Sequence, residues 1–104
     1  MSERIDKLKG KIEQKIEGRV SHVESVPVTE MFRGKILWDG TVETFDLSQN
    51  PMAKRCYAWS YEENNETHYV TALAIPPVDS AVMAVKMYIA SLVRHRNDRG
   101  VVVL

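Results

Sequence analysis

The chain has 104 residues, with 14 Lys and Arg balancing 14 Asp and Glu, so its net charge is zero. That length predicts one domain, a hydrophobic content of 44 % is ordinary for a globular protein, and zero net charge argues against nucleic-acid or acidic-membrane binding driven by bulk charge. A single cysteine, Cys56, excludes an internal disulfide and points to a reducing compartment. With no secretory h-region and no apolar run of about 18 residues, a cytoplasmic chain is expected. The charge is uneven along the chain: residues 1–19 carry +2, residues 20–80 carry −5 and residues 81–104 carry +3.

Residues 2–17 read as an N-terminal amphipathic helix. Ser2 is the candidate N-cap, and Ile5, Leu8, Ile12 and Ile16 recur at helical spacing to form one apolar stripe. Gly10 weakens the pattern and Gly18 ends it. So short a helix needs a surface to dock on. The chain therefore divides into a helix over 1–18 and a single α+β domain over 19–104.

Val20 to Val26 reads as a strand that Pro27 stops, and Thr29 to Arg33 is ambiguous. Lys35 to Trp38 and Thr41 to Leu47 flank Asp39-Gly40, the pair favoured in a two-residue type I′ hairpin turn. That turn sets Leu37 opposite Val42 and Trp38 opposite Thr41. It also gives Ile36, Trp38, Phe45 and Leu47 a common core face, on which Glu43 sits awkwardly. Asn50 is a candidate cap for a short helical turn through Met52 and Ala53.

Arg55 to Glu62 alternates without error. Tyr57, Trp59 and Tyr61 point one way; Cys56, Ala58 and Ser60 point the other. Asn64-Asn65 suits a tight turn because Asn tolerates positive φ. Thr67 to Ile75 then returns as a strand. A two-residue turn sets Trp59 against Val70, Tyr61 against His68, Tyr57 against Ala72, Cys56 against Leu73, Ala58 against Thr71 and Ser60 against Tyr69. Large residues face small ones on both sides, so both faces of this hairpin are expected to be covered at least in part.

Pro76-Pro77 ends the strand, and Asp79 or Ser80 caps a helix from Ala81 to about Arg96. From Ala81 to Val93 only Lys86 and Ser91 are not apolar, so this helix belongs in a core or between two copies of the chain. Val101 to Leu104 is expected as a strand on a sheet edge. The fold class is α+β: an N-terminal helix, a mainly antiparallel sheet of about five strands in successive hairpins, and a C-terminal helix packed on the sheet.

Little in the sequence carries chemistry. Cys56 and His68 fall on opposite faces of the β-hairpin, so they form no catalytic pair. The three histidines lie far apart and belong to no metal-ligand spacing. The glycines form no phosphate-binding loop. Glu62, Glu63 and Glu66 cluster as a solvated loop tip. No cofactor, metal or catalytic residue is assigned, and the balance leans away from an enzyme.

Two functional readings stand. In the first, the chain is a non-enzymatic protein-interaction domain that homodimerises through Val82, Val85, Ile89 and Leu92. In the second, Tyr57, Trp59, Tyr61 and His68 form an aromatic sheet face that binds a small ligand or a single-stranded nucleic acid. The acidic neighbours of that face and the zero net charge disfavour nucleic acid. Which side of the sheet the C-terminal helix covers decides between core and binding face.

Overall fold

Helix α1 (Glu3–Lys15) opens the structure, a computed structural model that describes residues 3–94 and 101–103. Four long strands follow, β1 (Arg19–Phe32), β2 (Lys35–Ser48), β3 (Arg55–Glu63) and β4 (Glu66–Leu73), then helix α2 (Ala81–Arg94) and the three-residue β5 (Val101–Val103). The strands form one antiparallel sheet in the order β1-β2-β3-β4-β5. The expected α+β architecture is thus present, as is the expected edge strand near the C-terminus. His95, Arg96, Gly100 and Leu104 lie outside the described residues.

The sheet separates two cores. On one face the Leu8 and Ile12 side chains of α1 pack with Val20, Phe45, Leu47, Cys56 and Ala58. On the other, Val85 and Tyr88 of α2 pack with Val28, Val42, Tyr57, Trp59 and Val70. The alternation of β3 therefore means what strand geometry requires: even residues serve the α1 core and odd residues the α2 core. All six cross-strand pairs predicted for β3 and β4 are formed. Asn64 and Asn65 make the turn at φ 56° and 64°.

The first hairpin differs from expectation in three linked ways. Its turn is Arg33-Gly34, at φ 53° and 78°, and not Asp39-Gly40. Two positive φ angles are what a type I′ turn needs, and Gly34 adopts its angle without Cβ strain. Asp39 and Gly40 instead run within a continuous β2, where the Asp39 carboxylate accepts from Thr29 Oγ1 at 2.7 Å. Gly40 has a packing role there, since a Cβ at that position would lie 3.1 Å from the Trp38 ring.

Pro27 does not end β1, which continues to Phe32 and pairs Pro27 with Thr41. A proline is tolerated because β1 is the outer strand of the sheet. The predicted common face of Ile36, Trp38, Phe45 and Leu47 also fails. Phe45 and Leu47 enter the α1 core, Trp38 packs against the α2 core, and Ile36 is exposed. Without a turn at Asp39-Gly40, alternation along one strand puts Trp38 on the face opposite Phe45 and Leu47, while Ile36 lies at the exposed end of the hairpin, beyond the register shift at Glu30/Met31.

Caps follow the sequence closely. Ser80 Oγ accepts from the Met83 N–H, which identifies Ser80 and not Asp79 as the cap of α2. Asn50 Oδ1 accepts from the N–H groups of Met52 and Ala53, so the predicted turn is capped although no helix forms there.

Candidate functional site

The most concentrated polar chemistry lies around Glu43. Its side chain is fully buried, yet it receives donors from two elements. Arg4 of α1 donates from Nη2 to Oε2 at 2.6 Å. His22 Nε2 stands 2.9 Å from Oε1, and the Ser25 hydroxyl donates to that same oxygen. The His22 ring is held edge-on against Phe45, with centroids 5.3 Å apart.

Residues 22 and 25 share this face because of a register shift. His22 pairs with Phe45 and Glu24 with Thr44, which leaves Val23 unpartnered between them. One extra residue reverses the side-chain alternation. Ser25 therefore stands opposite Glu43, on the same face as His22. Reading the sequence at period 2 cannot bring these two residues together, and nothing in it marks Arg4 as their neighbour. The only visible signal was a charged residue in the middle of a core-facing strand.

Burial pushes the Glu43 carboxyl up, but the hydrogen bonds from Ser25, His22 and Arg4, with the Arg4 charge, outweigh it and hold the group below its ordinary value. A carboxylate kept ionised in this way is a weak proton acceptor. In a Ser-His-acid relay the imidazole stands between hydroxyl and acid. Here hydroxyl and imidazole meet the same carboxylate oxygen side by side. The arrangement ties α1 to β1 and β2 and gives the Ser25 hydroxyl no imidazole base.

The aromatic residues divide along β3. Tyr57 and Trp59 are 5 % and 2 % exposed beneath α2. Trp59 is gripped edge-on by Trp38 and Tyr88, at 5.4 and 5.3 Å between ring centroids. These two residues therefore do not form an open platform. Tyr61 and His68 stack on each other at 5.1 Å and stay half-buried, so they are the accessible remainder of that face. Burial and the Tyr61 hydroxyl push the Tyr88 phenol up to about 12. Of the helix residues expected at a dimer interface, Val85 is buried and Ile89 half-buried, whereas Val82 and Leu92 are exposed. The apolar character of α2 is thus largely consumed by the protein's own core.

Exposed apolar surface is concentrated instead at the β1–β2 turn. Met31, Phe32, Ile36 and Leu37 are 59, 57, 61 and 52 % exposed. Met31 stands opposite Ile36, and a second register shift leaves Leu37 unpartnered. Arg33 lies over the Phe32 ring at 5.1 Å. Sequence reasoning missed this patch because it placed a different turn and drew Ile36 into the core.

Cys56 is buried in the α1 core, and burial pushes its thiol up to about 12. No group of three His, Cys, Asp or Glu side chains among the described residues is placed to hold a metal. A polar cleft of about 270 Å³ opens beside the start of α1, lined by Arg4, Lys7, Ser60, Glu62 and Tyr69 among others. No helix among the described residues is long and apolar enough to cross a membrane. Comparison with known protein families, curated proteins and solved structures finds no match to this chain.

Proposed function

We propose that the chain is a non-enzymatic protein-interaction domain that forms a homodimer, docking through the end of its β1–β2 hairpin. The observation that carries this reading is the cluster of Met31, Phe32, Ile36 and Leu37, four large apolar side chains more than half exposed at one end of the fold. Exposed apolar side chains gathered at one end of a fold mark docking surfaces. Arg33 and Lys35 flank the cluster, while Glu24 and Asp39 lie nearer the base of the same hairpin. Two copies of the hairpin laid in opposite directions bring basic ends towards acidic bases, so the surface is complementary to itself as a two-fold interface requires.

The burial of Tyr57 and Trp59 favours this reading over ligand binding on an aromatic face. The test is light scattering on the wild type and on the double variant Phe32→Ser/Ile36→Ser. Both positions are exposed, so the variant folds, and the reading predicts that it elutes as a monomer where the wild type elutes as a dimer. Equal masses for the two proteins overturn it.

A further inference from the structure

β1 is an outer strand, and its outward side meets no other strand among the described residues. One hydrogen bond gives the direction of its free main-chain groups. Leu47 N–H donates to the Lys54 carbonyl, so the main chain of Leu47 turns towards β3. Alternation along β2 then turns Thr44, Val42 and Gly40 towards β1, where they stand opposite Glu24, Val26 and Val28. The residues between these on β1 turn outward: Ser25, Pro27 and Thr29. Met31 continues the series, because the extra residue at the second register shift, Leu37, belongs to β2.

Pro27 divides this edge in two. It has no N–H to donate, and its ring stands where a partner's carbonyl would approach, so no ladder runs past it. Beyond Pro27 the edge has no such guard. Thr29 and Met31 each turn an N–H and a C=O outward, and the exposed Met31 and Phe32 side chains adjoin them. An open apolar edge of this kind is a template for another strand.

We propose that in the homodimer the Thr29–Met31 segments of the two β1 strands pair antiparallel across a two-fold axis, Thr29 of each copy opposite Met31 of the other. This rests on the dimer reading above and specifies how the copies meet. Each outward N–H and C=O of Thr29 and Met31 then finds a partner in the second copy. Pro27 selects the register. Setting Thr29 opposite itself would bring Met31 onto Pro27 of the other copy, where the Met31 carbonyl meets a ring instead of a donor. In the proposed register Pro27 lies past the ladder, opposite the turn residue Arg33.

The same register sets Met31 beside Thr29 and Phe32 beside Val28 of the other copy. It also brings the two Glu30 side chains face to face at the axis, and like charges across a sheet repel. Each carboxylate is already held by Lys86 Nζ of its own α2 at 2.7 Å, so two ammonium groups accompany the two carboxylates.

The test is oxidation of the single variant Glu30→Cys. The introduced thiols face each other at a non-hydrogen-bonded pair, a spacing that a disulfide spans, and the buried Cys56 does not compete. A covalent dimer is expected at roughly tenfold the yield of Glu24→Cys, an exposed position on the same face but on the guarded half of the edge. Thr29→Pro removes an outward N–H and leaves the β1–β2 ladder intact, so it is expected to keep the circular dichroism of the wild type and to sediment as a monomer. A wild type that sediments as a dimer, with no excess of covalent dimer from Glu30→Cys or with a dimeric Thr29→Pro, overturns this arrangement and leaves the dimer standing. A wild type that sediments as a monomer overturns both.

Discussion

Glu43 stands opposite Ala58 in the last residue pair that joins β2 to β3. The position has two roles. On the α1 face it holds the buried carboxylate that gathers Arg4, His22 and Ser25. Along the sheet it is where the β1–β2 hairpin leaves β3 and projects its apolar end.

Glu43→Gln keeps the shape of the side chain and removes its charge, so the charge-assisted bond to Arg4 is lost. Such bonds contribute about 1.5–3 kcal/mol each, and a loss of stability of that size is expected in urea denaturation. Arg4→Ala should lose less, because His22 and Ser25 still hold the carboxylate.

The same cluster sets an acid limit. Glu43 titrates in the folded protein below its ordinary value of 4.5. Its contribution to stability is therefore complete above that value and is lost as pH falls through the lowered one. Thermal melting from about pH 5 to about pH 3 should fall more steeply for the wild type than for Glu43→Gln. Parallel curves would show that the carboxylate contributes nothing.

Cys56 should be inert while the protein is folded. It is fully buried and its thiol is pushed from 9.0 to about 12. The thiolate fraction at neutral pH is thereby lowered about a thousandfold, and a thiol reagent should label it only as fast as the protein opens. Rapid stoichiometric labelling in native buffer would contradict the placement of Cys56 beneath α1.

The turn assignment can be checked by substitution. Gly34 sits at φ 78°, where any side chain is strained. Gly34→Val should lose about 1–2 kcal/mol. Asp39→Ala removes one exposed hydrogen bond to Thr29 and should lose under about 1 kcal/mol. The opposite ranking would place the turn at Asp39-Gly40.

The second hairpin was legible because all its signals agree. Unbroken alternation, an Asn-Asn turn and matched large and small residues allow one register. The first hairpin offers two glycine-containing turns, and local preference favours the wrong one. The choice is made by packing, since a turn at Arg33-Gly34 lets Val28 and Val42 join Trp59 and Val85 in one core. Pro27 reads as a stop only while β1 is assumed to lie inside the sheet. The Glu43 cluster was hidden for a different reason. One unpartnered residue, Val23, reverses the face of everything after it, and no period-2 pattern shows that. Helix α2 announced its burial through composition, but only the topology tells which sheet face it covers.

Sedimentation equilibrium of the full chain between about 1 and about 100 µM tests the central claim most directly, because that range spans the affinities of modest self-association. The account predicts that the weight-average mass rises from 11.9 kDa towards twice that value across the series. A mass of 11.9 kDa at every concentration would contradict it.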